Sequence, residues 1–282
     1  MSTVCSSAAR DGLLPRAAIG MVERVRRSAP DRNWGVIIFG LASTGLGVIG
    51  LLRGGFTIVW HPVPDLLQGQ AWLAYLCALL FTLAGAGLQR NDLRPGAASI
   101  LCLLYMLFAI SWLRRVIGYP LIIGTWLGFS EQFALALGAA VTIVIARKGS
   151  GVAVSACRIC FGLCELVFGL AHFLSLAETR AMTPAWLPPG QDFWAVTTGV
   201  AHLLAGLALI LGIKPQLAAR LLAVMFFGFG ALVWMPLVFA DPLSAFPWSG
   251  SAINLALVGA AWALADLLAR QSSGHRAAAV GP

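Results

Sequence analysis

Residues 161–173 read FGLCELVFGLAHF, an apolar run that holds one glutamate, Glu165, and one histidine, His172. The run lies in a longer apolar segment, 154–176, which is long enough for a helix to cross roughly 30 Å of hydrocarbon. Its glycines, at 162 and 169, are common in membrane helices, where small residues let neighbouring helices approach. The stretch therefore predicts a membrane-spanning helix with ionisable side chains at membrane depth.

The pattern around this stretch occurs twice, 122 residues apart. The matched pairs are Phe39 and Phe161, Gly40 and Gly162, Leu41 and Leu163, Trp72 and Trp194, Trp112 and Trp234, and Trp126 and Trp248. Gly85 also has a counterpart, Gly206, at an offset one residue shorter. Because chance matches would scatter in spacing, these offsets predict duplication of a whole helical bundle.

The composition is that of a membrane protein. Hydrophobic residues make up 59% of the 282 residues and charged residues 11%, against about 25% charged in soluble domains; the mean hydropathy is +0.86. Apolar runs without the alternation of a membrane barrel predict an all-α polytopic protein with eight transmembrane helices, arranged as two tandem four-helix bundles at 34–147 and 148–270. The spans are roughly 34–52, 71–89, 96–114, 128–146, 154–176, 193–212, 217–239 and 248–268.

The net charge of +8 follows a topological pattern. With the N-terminus inside and eight alternating spans, 15 of the 19 Lys and Arg residues fall in inner segments, which is the positive-inside bias. The sequence thus predicts a multi-pass protein of the cell inner membrane with both termini cytoplasmic, in contact with the lipid bilayer and not with nucleic acid. Residues 1–33 and 271–282 are predicted to be cytoplasmic tails, the first with an amphipathic helix around 13–27 or with no fixed structure.

Tryptophan is concentrated at the predicted outer ends of the spans. The residues are Trp60, Trp72, Trp112, Trp126, Trp186, Trp194, Trp234 and Trp248. An anchoring girdle is one interpretation; an aromatic-lined entrance, with Trp186 and Trp194 as ligand contacts, is the other. The long outer connections, 54–70 and 177–192, are rich in Trp and Pro and are predicted to pack over the outer mouth.

The second repeat alone carries a polar set at membrane depth: Glu165, His172, His202 and Asn254. The aligned positions of Glu165, His172 and His202 in the first repeat are Ser43, Gly50 and Phe81. Ionisable groups in the membrane are costly and usually face a partner or a cavity, and adjacent antiparallel helices would bring Glu165 and His202 to one depth.

Two interpretations of this set remain open. Glu165 and His202 form either a buried pair that fixes helix register, or, with His172, a catalytic site that handles protons and binds the headgroup of a lipophilic substrate, with Asn254 as a further ligand contact. Helical rise places the two histidines about 10–15 Å apart in depth, so no shared metal site is predicted.

Other polar residues point to ordinary roles. Cys157, Cys160 and Cys164 start a hydrophobic helix at its cytoplasmic end, where structural disulfides are rare, and are predicted to be small buried side chains. Glu131 is predicted to pair with Arg114 and Arg115 at the outer surface. The chain has no nucleotide-binding, zinc or nucleophile-elbow motif.

The motif at 161–173 resembles the first helix of the DoxX-like family. The loop segments Trp186-Leu187-Pro188 and Phe193-Trp194-Ala195, and the run from Thr198 to Gly212, resemble the family as well. The resemblance covers 157–268, and 34–147 only through the internal repeat. Many members carry Glu at the position of His202, so this chain departs from the pattern there.

The resemblance implies a four-helix inner-membrane unit, in some members linked to quinone-dependent sulfur or thiol redox chemistry. It suggests a subunit or accessory factor in such metabolism, with a quinone as the ligand and a redox membrane protein as the partner. Whether the chain is an enzyme stays open. The alternatives are a transporter of small molecules or lipids, and a structural assembly factor without catalysis.

Overall fold

The computed structural model describes residues 33–56 and 60–279, with side chains up to residue 272. Over these ranges the chain is helical and has no strand. The helices are α1 (Trp34–Arg53), α2 (Asp65–Gln68), α3 (Ala71–Gly87), α4 (Arg94–Gly118), α5 (Ile123–Arg147), α6 (Gly151–Leu174), α7 (Leu176–Met182), α8 (Gln191–Leu211), α9 (Pro215–Phe229), a π-helical turn (Gly230–Trp234), α10 (Met235–Ala240) and α11 (Ala245–Ala279).

Seven helical segments of the described chain are long and apolar enough to cross a membrane, judged by length and composition. The predicted second span corresponds to α3, which is apolar but has only 17 residues. At 1.5 Å per residue it covers about 25 Å, short of a 30 Å hydrocarbon core. The all-helical membrane class is thus confirmed, and the count of eight full spans is not.

The repeated glycines lie where the first two long helices of each repeat cross. A methyl group on Gly40 in α1 would lie 2.7 Å from the carbonyl oxygen of Gly85 in α3. In the second repeat, a methyl group on Gly162 in α6 would lie 2.8 Å from the carbonyl oxygen of Gly206 in α8. The same crossing therefore occurs in both repeats, and only glycine permits this approach of the two backbones.

Two tryptophans repeat their hydrogen bonds as well as their spacing. The indole Nε1 of Trp126 donates to the Pro120 carbonyl oxygen at 2.9 Å, and that of Trp248 donates to the Pro242 carbonyl oxygen at 2.9 Å. In both cases the acceptor lies six residues before the tryptophan, at the start of the last long helix of its repeat. These indoles link the preceding turn to the helix, which is a local structural role.

The last helix of each repeat packs extensively against the other repeat. Helix α11 packs along α1, where Gly259 contacts the backbone of Phe39, and α5 packs against α6. Helices α5 and α11 also contact each other, and α11 is the most buried of the membrane-length helices. The expected arrangement of two separate tandem bundles is therefore not confirmed: the two last helices join the repeats.

The first long connection packs into the bundle, as expected for an ordered cap. Trp60, His61 and Val63 are buried, and the Trp60 ring stacks on Phe246 and contacts Trp234, both in the second repeat. The second long connection forms α7 and a turn with no buried residue in the helix. Of the two predicted tails, residues 1–32 and 280–282 lie outside the described chain, and 271–279 continue α11.

Candidate functional site

Glu165 and His202 meet at the α6–α8 crossing. The Glu165 Oε2 atom lies 2.6 Å from His202 Nδ1, and the two side chains are 0% and 2% exposed. The expected pairing of these residues is therefore present. The second carboxyl oxygen, Oε1, is buried without a hydrogen-bond partner among the described residues. This oxygen can therefore form a further hydrogen bond.

His172 lies much closer to His202 than helical rise suggested. The two ring centroids are 5.3 Å apart, against an expected difference in depth of about 10–15 Å. The expectation was wrong because His202 is not level with Glu165: Gly199, three residues before His202, lies against the Cβ atom of His172. The two histidines are therefore only about one helical turn apart in depth. Since α6 and α8 are antiparallel, the lean of each side chain toward the N-terminus of its helix brings the rings closer still.

The hydrogen bonds of His172 fix its tautomer. Its Nδ1 atom lies 3.1 Å from the Ala195 carbonyl oxygen and 3.2 Å from Thr198 Oγ1. The Thr198 hydroxyl donates to the Trp194 carbonyl oxygen at 2.7 Å, so both neighbours of Nδ1 act as acceptors. Nδ1 therefore carries the hydrogen in the neutral ring, and Nε2 is left as the acceptor.

Phenylalanines from α6 and α9 surround the two imidazoles. Phe168, Phe226 and Phe229 lie with ring centroids 5.7, 5.7 and 6.0 Å from that of His202. The ring of Phe229 also stacks on His172 at 6.3 Å. Sequence reasoning missed these aromatic residues because nothing in their spacing separates them from ordinary apolar residues.

Asn254 stabilises a distorted helix beside the site. Its amide Nδ2 donates to the Phe226 carbonyl oxygen at 2.8 Å, immediately before the π-helical turn at Gly230–Trp234. Pro236 follows this turn and has no N–H for a helical hydrogen bond, which explains the distortion. Asn254 thus has a structural partner, and its predicted role as a ligand contact stays a prediction.

The first repeat has a different polar arrangement at the equivalent crossing. Ser43 Oγ lies 3.1 Å from the Tyr105 hydroxyl, and the Phe81 ring packs against Tyr105 at 4.9 Å. The His61 ring, from the first long connection, lies 6.1 Å from Phe81. Burial lowers the pKa of His61 to about 3, so this imidazole is neutral at physiological pH.

The predicted tryptophan contacts lie apart from the buried pair. Trp186 is 67% exposed, and the Trp194 indole donates to the Pro188 carbonyl oxygen at 2.9 Å. Trp194 is linked to the site through its own carbonyl oxygen, which accepts from Thr198. A role for either indole in ligand binding stays a prediction.

The remaining polar predictions have mixed outcomes. Cys157 and Cys164 are buried, Cys160 is half-buried, and all three thiols are free. Glu131 hydrogen-bonds to the Trp60 side chain, while Arg114 pairs with Asp65 at 3.8 Å and the Arg115 guanidinium lies over the Trp112 ring.

Among the described residues, no group of three or more His, Cys, Asp or Glu side chains is arranged to hold a metal ion.

A family model matches part of the second half of the chain. No curated protein matches the chain, and no solved structure does. The described fold supplies several membrane-length apolar helices, and the matching segment includes the α6–α8 crossing. Residues 153–235, which contain Glu165, His172 and His202 and lie in the second half of this membrane protein, match the DoxX family model.

Proposed function

We propose that the second repeat binds the headgroup of a quinone at Glu165 and His202 and exchanges a proton with it. In this proposal the chain is a multi-pass inner-membrane protein with cytoplasmic termini. It serves as a subunit or accessory factor in quinone- or thiol-linked redox metabolism. The observation that carries the proposal is the buried 2.6 Å contact between Glu165 Oε2 and His202 Nδ1, beside an unpartnered Oε1.

The pair has the composition that proton exchange requires. Reduction of a quinone to a quinol takes up two electrons and two protons; the electrons come from a reduced thiol or sulfur donor held by a partner. A carboxyl group and an imidazole in hydrogen-bond contact can share one proton, and each can release it to an oxygen atom nearby. Glu165 Oε1 is the atom with hydrogen-bonding capacity left for the headgroup.

His172 supports a route for returning the proton. Its ring lies 5.3 Å from that of His202 and is half-buried, whereas Glu165 and His202 are fully buried. With Nδ1 bound to Ala195 and Thr198, its Nε2 can accept and pass on a proton. We place this residue between the buried pair and the predicted outer face.

The aromatic surroundings suit a planar ligand. Phe168, Phe226 and Phe229 present ring faces and edges around the imidazoles, and aromatic rings pack favourably in offset or edge-on arrangements.

The positive-inside distribution of Lys and Arg supports the proposed orientation, with both termini cytoplasmic.

Mass spectrometry of small molecules retained by the full chain, purified in mild detergent, tests the proposal. We expect a quinone in the wild-type protein and a large loss of it in Glu165→Gln and His202→Phe. Ser43→Ala, which removes a buried hydrogen bond at the equivalent crossing of the first repeat, is the matched control and should retain the ligand. Wild-type protein that neither retains a quinone nor binds added decylubiquinone would contradict the proposal.

A structural role for the pair is the second proposal. It is favoured by the hydrogen bond between Ser43 and Tyr105 of α4, since Ser43, the equivalent of Glu165, also forms a buried hydrogen bond to another helix. In this case Glu165→Ser combined with His202→Phe, which introduces the residues of the first repeat, would preserve both the fold and the cellular redox phenotype.

A further inference from the structure

The first repeat buries polar atoms that the described part of the chain leaves without hydrogen-bond partners. Gln132 in α5 is 0% exposed, and neither its Nε2 nor its Oε1 has a partner. His61, 7% exposed, has an unpartnered Nε2. A buried donor or acceptor without a partner destabilises the protein, so unpartnered groups of this kind call for a specific explanation.

Two sets of contacts bring Gln132 and His61 into one layer of the bundle. The side chain of Trp60, the residue before His61, hydrogen-bonds to Glu131, the residue before Gln132. The His61 ring also stacks on Phe108 in α4, with centroids 4.0 Å apart.

The packing of α4 on α5 places Phe108 level with Gln132. Gly128 in α5 lies against the Trp112 ring, and one turn further along these antiparallel helices the paired residues are Phe108 and Gln132. His61 therefore stacks on the helix position that faces Gln132.

The equivalent amide of the second repeat, by contrast, has a hydrogen-bond partner. Gln132 and Asn254 are 122 residues apart, so they are equivalent, and Asn254 has the Phe226 carbonyl oxygen as its partner. In the second repeat the facing position is Gly230, where a methyl group would lie 2.9 Å from Asn254 Nδ2. Phe108 occupies this position in the first repeat, within a regular helix.

Both repeats also place an imidazole beside the same position of their second long helix. His172 lies 5.3 Å from His202, and His61 lies 6.1 Å from Phe81, the equivalent of His202. The imidazole comes from α6 in one repeat and from the outer connection in the other.

We propose that His61 and Gln132 form a second ligand site, which binds an uncharged planar ring bearing carbonyl or hydroxyl oxygens. The choice of a quinone or quinol ring as ligand rests on the proposed function. The Gln132 amide can donate to a carbonyl oxygen and accept from a hydroxyl group, and neutral His61 adds one further donor or acceptor. Phe81 and Phe108, whose rings are 12° from parallel, form the apolar wall.

The ligand of this site is uncharged because the two groups that would bind it, the Gln132 amide and the neutral His61 imidazole, offer it no countercharge. Glu131 bonds to Trp60, Arg114 pairs with Asp65, and Arg115 lies on Trp112. A buried ion without a countercharge would be strongly destabilised. Since the site contains no carboxyl group that contacts an imidazole, it holds the ring without the proton exchange proposed for the second repeat.

Equilibrium binding of decylubiquinone to the full chain in mild detergent, with the number of bound molecules counted by native mass spectrometry, tests the inference. We expect two molecules per chain in the wild type. Gln132→Met, which keeps the side-chain length and removes the amide, should weaken one site at least tenfold, and His61→Phe should do the same. Glu165→Gln should affect the other site alone.

The outcomes separate this inference from the proposed function. One bound molecule that is lost in Glu165→Gln and kept in Gln132→Met would overturn the second site and leave the proposed function intact. Two molecules that are unaffected by both Gln132→Met and His61→Phe, as expected if water alone occupies these polar atoms, would also overturn it. No binding at all would overturn both. Thermal unfolding of Gln132→Met provides the folding control.

Discussion

The carboxyl group of Glu165 and the imidazole of His202 face each other across the crossing of α6 and α8, 2.6 Å apart and closed off from solvent. The equivalent residues of the first repeat, Ser43 and Phe81, do not form such a contact; Ser43 instead bonds to Tyr105. The two repeats therefore share a backbone crossing and differ in its chemistry. The residues of the first repeat, serine and phenylalanine, are therefore suitable replacements for Glu165 and His202 in the second.

We expect His202→Phe to lower stability markedly, because it leaves the Glu165 carboxyl group buried without a partner. Leaving a buried hydrogen-bonding group without its partner costs about 1–3 kcal/mol, and more if the group is charged. Adding Glu165→Ser should recover most of the loss, since a serine hydroxyl in a helix can bond to a backbone carbonyl of the preceding turn. Thermal unfolding of the single and double variants in one detergent measures the coupling, and equal stability of His202→Phe and wild type would refute the expectation.

The glycine crossings predict a strong difference between two helical glycines of the second repeat. Gly206→Ala places a methyl group 2.8 Å from the Gly162 carbonyl oxygen, so we expect a loss of about 1–3 kcal/mol from overpacking. Gly228 in α9 has no atom within 4 Å of its would-be methyl group. Gly228→Ala should leave the melting temperature unchanged or raise it, because alanine favours helix by about 1 kcal/mol. Similar melting temperatures for the two variants would contradict this account of the crossing.

The sequence was sufficient to predict the membrane-length helices, apart from the short α3, and the Glu165–His202 contact. A constant offset identifies equivalent residues, and successive membrane spans run in opposite directions, so Glu165 and His202 could be placed at one depth. The packing of α11 on α1 was beyond this reasoning. The repeat gives the order of the helices along the chain. It carries no information on which apolar faces of the two repeats pack against each other.

The sequence did not predict the short distance between His172 and His202 or the unpartnered amide of Gln132, for two different reasons. For His172, the predicted depth assumed that His202 is level with Glu165, whereas Gly199 of α8 lies against His172 and brings His202 within about one turn of it. For Gln132, the offset of 122 residues to Asn254 was visible in the sequence. Its lack of a partner depends on a regular helix at Phe108 where the second repeat has a π-helical turn, and that difference arises from Pro236.

The equivalent amides Gln132 and Asn254 should respond in opposite ways to replacement by apolar residues of similar shape. Asn254→Leu removes the donor to the Phe226 carbonyl oxygen and should cost about 1 kcal/mol. Gln132→Met removes two buried atoms that have no partner in the described chain, so we expect ligand-free protein to be as stable as wild type or more stable. Thermal unfolding in detergent, after removal of bound small molecules, compares the two; a larger loss for Gln132→Met would indicate a hydrogen bond within the chain.

His61 makes stability depend on pH in the acidic range. Burial lowers its folded pKa from 6.5 to about 3, so between these values the unfolded chain binds a proton that the folded chain excludes. Stability should therefore be fully present above pH 6.5 and fall as the pH decreases toward 3. At 1.36 kcal/mol per pH unit, the loss at pH 5 is about 2 kcal/mol.

His61→Phe isolates this contribution, because a phenyl ring preserves the stacking on Phe108 and does not titrate. The groups nearest the ring, Phe81 and Phe108, are apolar, and the nearby Glu131 carboxyl bonds to Trp60. We expect the difference in melting temperature between pH 7.5 and pH 5 to be smaller in the variant than in the wild type. The other titrating groups are common to both proteins. An identical pH dependence would therefore mean that His61 is protonated equally in the folded and unfolded chains, which would contradict the burial of its ring.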